Sequence, residues 1–507
     1  MTLGRRSQWA VTIFAVLAVL FAIALMSASG PEAQAAPAQQ AKVCTWKNIG
    51  NNRSNLFHVA SASDTDKNTV YVYGGVNENL EPQNRVESIA VTDPADLKGT
   101  MSIVSAAGAK KLVGAAGAYR AKGDTDDSGV YWFGGNADPT SGQGSTNVQA
   151  YMTKSGTWGT VSATNDSEFK SRFFAAAAYD PVHDAIWVVG GTNSCKLGEV
   201  LQGQSCNATA MATQYLKFDD PNPGEMTWYT LGGGYQSIYG ATLVYDEGNQ
   251  QMVLFGGTKN ISQAQSAVTV LDVSKADPAS ASWSTASDSG TAPSVYFHQA
   301  AYSPTDAMMY VYGGVKQNFM QSNESTNTNT YALDLSKWPN PTWDGLTPAG
   351  TPGGRVASAM GYVPLHNTFV VGLGREKFES GDPLPAQNTQ KNSFALTCMD
   401  APTPTDVPTQ GPTDTPGPVP TGGATNTAEP PTAIPGDVCD IARSKVPTSV
   451  LNDAVANPGN YYGYDLACNP NLPVSIYNPL RRMLSISQPN KPFHPWYNSV
   501  EWKCGCP

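Results

Sequence analysis

The chain has 507 residues, with 31 Lys or Arg against 41 Asp or Glu and a formal net charge of −10 at pH 7. Since it has no basic cluster larger than Arg481-Arg482, it lacks the electrostatic footprint of a nucleic-acid-binding protein, and no nucleic-acid partner is expected. The length exceeds that of one small domain and is sufficient for a large repeat array joined to a smaller module.

Residues 1–36 are predicted to be a secretory signal peptide. Arg5 and Arg6 precede an apolar run, and small residues with an A-Q-A motif at residues 33–35 follow it. The run is short for a bilayer span, and the pattern is typical of a cleaved export signal. We therefore expect a secreted protein, extracellular or cell-surface associated, with no transmembrane span after cleavage. The export route stays open.

A short apolar strand that ends in two glycines is repeated between residues 43 and 399. Its copies lie at residues 69–75 (TVYVYGG), 129–135, 185–191, 251–257, 308–314 and, in a degenerate form (TFVVGLG), 368–374. The period is about 60 residues. Another short strand precedes each copy, beginning near Leu56, Leu112, Arg172, Ile238, Tyr296 or Arg355. Turns rich in Asp, Pro, Gly and Asn, typical of tight hairpins, join the two strands.

A third and a fourth strand complete each unit. Tryptophan marks the fourth strand of four units, at Trp158, Trp228, Trp283 and Trp343. Four antiparallel strands repeated radially predict an all-β protein, a six-bladed β-propeller with four-stranded blades. The double glycines suit strand ends near a crowded axis, because glycine permits close backbone approach and a positive φ.

Strand counting predicts how the ring closes. Residues 44–49 form a fourth strand with nothing before it, and residues 392–398 form a third strand without a fourth, so the two complete the sixth blade. Cys44 and Cys398 then lie on adjacent strands, and we predict that they are bonded across a loop of about 350 residues. All eight cysteines follow the signal, which favours disulfides over metal thiolates. Cys195 and Cys206 are predicted to pair within a long loop of the third blade.

The apolar strand, the double glycine, the hydroxylated third strand and the Trp-bearing fourth strand together resemble the kelch repeat. The resemblance implies a kelch-type propeller of the superfamily that includes galactose oxidase. The copper site of that enzyme is not supported, because His183 and His366 lie in hairpin turns at the opposite edge. His58 and His298 are interpreted as matching first-strand positions, where kelch repeats hold a structural histidine, in preference to metal ligands. No metal and no cofactor are expected.

The loops between second and third strands share one face with those between fourth and first strands, and binding residues usually lie on such variable loops. Polar residues just beyond the glycines, which suit a polyhydroxylated ligand, are the candidate ligand-binding residues: Asn77, Glu78, Asn136, Asp138, Asn193, Gln317, Asn318, Arg375 and Glu376. The alternative that they are only solvated loop residues stays open.

Residues 400–436, rich in Pro, Thr and Gly, are predicted to be a disordered linker. Residues 437–507 are predicted to be a small Cys-rich aromatic module with one short helix. Three disulfide pairings are open to its cysteines, which are Cys439, Cys468, Cys504 and Cys506. Aromatic residues that are candidates for a glycan or partner contact, or for the core of this module, are Tyr461, Tyr462, Trp496, Tyr497 and Trp502.

These patterns favour a non-catalytic secreted binding or scaffold protein. The propeller would present its loop face to an extracellular glycan or a cell-surface protein, and the tail would attach the protein to a surface or make a second contact. A carbohydrate-active enzyme at the axial loop face is an alternative that depends on fold analogy alone. A structural component of an envelope or matrix is a further alternative.

Overall fold

The structure is a computed structural model that describes residues 42–400, with gaps at 93–96, 105–106, 124–127, 139, 202–205, 261–262, 317–325 and 377–388. The predicted signal peptide, linker and C-terminal module lie outside the described residues. So do the candidate residues Gln317 and Asn318 and all candidate residues of the tail.

Six antiparallel sheets form the blades of the predicted propeller. The chain begins with β1 (Lys42–Asn51), which belongs to the last blade. The first blade contains β2 (Ala60–Asp64), β3 (Thr69–Tyr73), β4 (Val86–Val91) and β5 (Gly99–Val104). The second contains β6 (Val113–Arg120), β7 (Gly129–Asn136), β8 (Val148–Met152) and β9 (Thr157–Val161). The third contains β10 (Phe173–Asp180), β11 (Ala185–Thr192), β12 (Met211–Phe218) and β13 (Met226–Gln236).

The other three blades repeat this order. The fourth blade contains β14 (Thr242–Asp246), β15 (Gln251–Phe255), β16 (Val268–Asp272) and β17 (Ser282–Thr285). The fifth contains β18 (Ser289–Gly290), β19 (Tyr296–Ser303), β20 (Met308–Val315), β21 (Thr330–Asp334) and β22 (Thr342–Leu346). The sixth contains β23 (Ala359–Val363), β24 (Thr368–Gly372) and β25 (Asn392–Asp400) together with β1. The two-residue β18 pairs in parallel with β22 and adds a short strand at the outer edge of the four antiparallel strands of the fifth blade.

Helical structure is confined to short segments between strands. They are α1 (Leu197–Leu201) and the 3₁₀ turns Asp166–Glu168, Pro278–Ser280, Leu335–Lys337 and Leu365–Asn367. In the part of the chain that the structure describes, no helix is long and apolar enough to cross a membrane.

The ring closes as predicted. β1 pairs with β25, so strands from the two ends of the repeat array share the sixth blade. Cys44 and Cys398 are disulfide-bonded with their Cα atoms 4.0 Å apart and a sequence separation of 354. Cys195 and Cys206 form the second predicted disulfide, beside α1.

The double glycines join neighbouring blades. All five Gly-Gly pairs have positive φ, and in the sixth blade Leu373 (φ 59°) and Gly374 (φ 88°) adopt the same conformation. The second residue of each pair donates its N–H to a carbonyl at the start of the next blade. These bonds are Gly75 to Leu112 (2.8 Å), Gly135 to Arg172 (2.9 Å), Gly191 to Ile238 (2.8 Å), Gly257 to Val295 (2.8 Å), Gly314 to Arg355 (2.7 Å) and Gly374 to Leu56 (2.8 Å).

Apolar side chains fill the space between blades. Trp228 of β13 stacks on Phe169 with ring centroids 4.4 Å apart, and Trp343 of β22 packs on Phe255 of the preceding blade at 4.6 Å. Both tryptophans are buried. The tryptophans that mark the fourth strands in the sequence therefore hold the outer part of the blades together.

Candidate functional site

The propeller has two ends with different connections. The end that carries the second-to-third and fourth-to-first connections is called the loop face, and the end that carries the first-to-second and third-to-fourth turns is called the turn face. The first strand of each blade runs from the loop face to the turn face beside the axis.

An aromatic plug fills the axis at the loop face. Six equivalent positions, one per blade, all have positive φ and alternate between large and small side chains: His58, Gly114, Phe174, Gly240, Phe297 and Ala357. The three large rings are mutually packed, with centroids 4.8 to 4.9 Å apart. The small residues make room for them, since a Cβ on Gly114 would lie 2.4 Å from the ring of Phe174.

Backbone hydrogen bonds tie the plug into a ring around the axis. The N–H groups of His58, Gly114, Gly240, Phe297 and Ala357 donate to plug carbonyls of the preceding blades at 2.8 to 3.0 Å. The plug is therefore a built part of the propeller. It moves any ligand site on the loop face away from the axis.

The two first-strand histidines do not form a site, which corrects their predicted equivalence. His58 matches Phe297 in the plug, whereas His298 is one position further along β19 and bonds Thr242 through Nε2 at 2.9 Å. Burial lowers the pKa of His298 to about 3, and burial with the charge of Arg375 lowers the pKa of His58 to about 3. Both imidazoles are neutral at ordinary pH and act as packing groups.

Arg172 and Arg355, which precede the first strands of the third and sixth blades, also have structural roles. The guanidinium of Arg172 donates to the carbonyls of Gly190 and Ala212, and that of Arg355 donates to the carbonyls of Leu373 and Asn392. Both side chains are fully buried, and burial lowers the pKa of each to about 10. Each arginine therefore fastens the second and third strands of its own blade.

A polar cleft of about 310 Å³ lies on the loop face of the first blade. Its lining residues are Ser54, Asn55, Leu56, Asn77, Glu78, Asn79, Gln83 and Arg85. Asn55 Nδ2 and Thr389 Oγ1 both donate to Glu78 Oε1, at 3.1 and 2.8 Å. Among the described contacts both bonds reach Oε1, so Oε2 is available to a ligand hydroxyl.

The cleft brings together two of the predicted ligand-binding residues. Asn77 shapes it, because its Oδ1 accepts from the N–H groups of Asn79 and Glu81. Arg85 also lines the cleft. Its side chain is half-buried, and its Nε lies 3.1 Å from Oε1 of Glu87. Sequence reasoning missed Asn55 and Arg85, which precede the repeat's first and third strands and carry no motif of their own.

The other described candidates are not part of this cleft. Asn136 is buried and bonds Ser141 within its own loop, and Asp138 is exposed and bonds Thr140. Asn193 is exposed and accepts from Thr209. Arg375 is buried with its guanidinium 4.6 Å from the ring centre of Phe57, whereas Glu376 is exposed.

A second and larger cavity follows the axis from the plug to the turn face. It has a volume of about 660 Å³ and is lined by the first strands of all six blades. Five of the six equivalent residues at its turn-face end are tyrosines, which are Tyr119, Tyr179, Tyr245, Tyr302 and Tyr362, with Ser63 in the sixth place. Sequence reasoning missed this ring, although a tyrosine recurs near the end of five of the first strands.

Within the described residues, no group of three or more His, Cys, Asp or Glu is arranged to hold a metal ion. The chemistry that the described residues offer is therefore hydrogen bonding in the cleft and aromatic contact in the axial cavity.

No family model and no curated protein matches the chain. Similar solved structures include that of YjhT, with 15% identity, a TM-score of 0.46 and coverage of 69% of this chain and 99% of that one. They also include a fungal alcohol oxidase of the AA5 family in complex with copper, with 12% identity, a TM-score of 0.43 and coverage of 69% of this chain and 76% of that one. The six closed blades identify the fold of the chain as a six-bladed β-propeller.

Proposed function

We propose that this protein is an extracellular binding protein whose loop face recognises a glycan through the polar cleft of the first blade. The observation that carries the proposal is the cleft itself, in which one carboxylate, one guanidinium and several amides converge within about 310 Å³. Polyhydroxylated ligands need such a mixture of donors and acceptors at fixed positions.

The cleft is held in place before any ligand arrives. Glu78 accepts hydrogen bonds from Asn55 of its own blade and from Thr389 of the sixth blade. Asn77 Oδ1 accepts from the backbone N–H of Asn79, which fixes the loop that carries Glu78. A preorganised site loses little conformational entropy on binding. This order favours the interpretation that the loop binds a ligand over the alternative that its polar residues contact only solvent.

An extracellular location fits the two disulfides, since such bonds persist in oxidising compartments. The predicted signal peptide points to the same location. The Pro/Thr-rich linker and the C-terminal module would then attach the propeller to a surface or make a second contact.

The test is binding of the full-length secreted protein to purified envelope polysaccharides of the producing cell, measured by calorimetry. We expect saturable binding without turnover, weakened about tenfold by Glu78→Ala because a charged hydrogen bond contributes about 1.5 kcal/mol. The matched control is Asp138→Ala, an exposed carboxylate on a neighbouring loop outside the cleft. Equal binding by both variants, or release of oligosaccharide products, would overturn the proposal.

A further inference from the structure

We propose that the axial cavity is a second binding site, open at the turn face, for a small organic ammonium ligand. This site is separate from the polar cleft and does not depend on the function proposed for it. The shape of the cavity, the tyrosines at its mouth and the charges around them all favour such a ligand.

The cavity is blind. Its lining begins with Val59, Ala115 and Ala175, which directly follow the plug residues of their blades, and it ends at exposed turn residues that include Glu247 and Thr305. A ligand can therefore enter at the turn face alone. The volume of about 660 Å³ lies within the range usual for small-molecule sites.

The wall of the cavity consists mostly of small side chains. Alanine, glycine and serine occupy most first-strand positions between the plug and the mouth, so the walls leave space for a ligand without offering many hydrogen bonds. Gln299 is the largest uncharged polar side chain among the described wall residues. Such walls fit alkyl groups better than a densely hydroxylated sugar.

Tyrosines form the mouth and are fixed by their hydroxyl groups. Tyr119 donates to Asp66 Oδ2 at 2.8 Å, and Tyr302 donates to Asp246 Oδ1 at 3.1 Å, in each case on the preceding blade. Tyr179 donates to Asp184 of its own turn at 2.8 Å. Burial first, and these carboxylates second, raise the tyrosines' pKa values, so the phenols stay protonated and keep donating.

A ring whose hydroxyl donates to a carboxylate is richer in electrons, and the face of an electron-rich ring attracts cations. Five tyrosines line this one opening, and the faces of aromatic side chains are the groups that recognise quaternary and other ammonium ions. The tyrosine ring therefore favours a cationic ligand over a neutral or anionic one.

The charges at the mouth have the matching sign. Glu247 is exposed and is the one charged residue among the described lining residues. Among the described cationic residues, Arg120 and Lys122 are both paired with Asp184, and Lys67 donates its ammonium to the carbonyl of Thr153. The carboxylates of Asp66, Asp246 and Glu247 thus give the mouth a negative potential that attracts cations.

The test is calorimetric titration of the full-length protein with choline, with spermidine and with 3,3-dimethylbutan-1-ol, the neutral isostere of choline. We expect saturable binding of at least one ammonium compound. If choline binds more tightly than spermidine, its neutral isostere should bind about tenfold more weakly than choline. Preference for spermidine over choline would assign the site to primary polyamines. Absence of binding by both ammonium compounds, or equal binding of choline and its isostere, would overturn the proposal.

Two variants locate the site. Glu247→Gln, a surface change that leaves packing intact, is expected to weaken ammonium binding about fivefold, and Tyr245→Ala at least as much. The matched control is Tyr229→Ala, a 38% exposed tyrosine on the outer strand of the third blade, which should leave binding unchanged. Unchanged binding in Glu247→Gln and Tyr245→Ala, with thermal unfolding showing a folded protein, would also overturn the proposal. Polysaccharide binding at the polar cleft should be the same in Glu247→Gln, which separates the two proposals.

Discussion

The backbone N–H of Gly374 donates to the carbonyl of Leu56 at 2.8 Å, so the last blade meets the first through the same hydrogen bond that joins every other neighbouring pair. Six equivalent bonds thus form a closed circle around the propeller. A closed circle leaves no blade interface unpaired, which is how propellers manage the exposed edges of their sheets.

The first glycine of each pair is required because the next blade approaches too closely for a Cβ. At Gly134, with φ of 67°, an added Cβ would lie 2.3 Å from the carbonyl oxygen of Arg172. We expect Gly134→Ala to lower the free energy of unfolding by about 2–4 kcal/mol, through left-handed strain and displacement of the third blade. Chemical denaturation monitored by tryptophan fluorescence measures this change.

The control for this prediction is Gly159→Ala in the same blade. Gly159 has no neighbouring atom within 4 Å of the added Cβ, so its variant should change stability by less than about 0.5 kcal/mol. Similar stabilities for the two variants would contradict the role assigned to the inter-blade contact.

Burial of Arg355 is tolerated because its guanidinium holds two strands of the sixth blade. We expect Arg355→Met to destabilise the protein by about 2–4 kcal/mol, since the carbonyls of Leu373 and Asn392 would lose charged donors. Lys196→Met, at a side chain that is 62% exposed, is the control and should be nearly neutral. A nearly neutral Arg355→Met would contradict the structural role assigned to these hydrogen bonds.

The sequence allowed the blade count, the ring closure and both disulfides to be predicted, because the double glycines and tryptophans recur at fixed places in the repeat. The plug could not be predicted in the same way. It depends on six positions whose residues differ in type, from His58 to Gly114 to Phe174, and share only a backbone conformation. The error of equating His58 with His298 arose for this reason, since one residue of offset reverses the side of the strand.

The candidate binding residues show the same limit. The position after a glycine pair placed Asn77 and Glu78 on the loop face, but the hydrogen-bond partners of Glu78, Asn55 and Thr389, come from other segments. A contact between two blades, such as that of Thr389 with Glu78, has no signal in one repeat. The set of tyrosines at the turn face does have a signal, because five of the six first strands carry a tyrosine near their end.

Two buried neutral histidines predict a loss of stability in acid. In the folded protein the pKa of His58 and that of His298 are about 3, below the ordinary unfolded value of 6.5. The unfolded chain therefore binds more protons below pH 6.5. The stability that these histidines contribute is complete above that pH and falls as the pH drops from 6.5 toward 3, by about 1.4 kcal/mol per pH unit for each.

His58→Phe tests this linkage, because phenylalanine already occupies the equivalent positions 174 and 297. The variant should remove the contribution of one histidine. Between pH 6 and pH 4.5 the slope of its unfolding free energy against pH should therefore be smaller than that of the unsubstituted protein by about 1.4 kcal/mol per pH unit. Urea denaturation across this range measures the slopes of both proteins. Parallel slopes would show that His58 is not buried as a neutral group.

The two disulfides should differ in their effect on stability because they close loops of very different length. Cys44–Cys398 spans 354 residues and Cys195–Cys206 spans 11. On the chain-entropy account, replacing the first pair by serine should cost about 6 kcal/mol and replacing the second about 3 kcal/mol. The first replacement should also let β1 leave the sixth blade, since β1 is an edge strand of that sheet. Chemical denaturation of the two double variants measures the costs, and hydrogen exchange of β1 amides measures its release. A larger cost for the short loop, with β1 still protected, would mean that the inter-blade hydrogen bonds close the ring without the long-range disulfide.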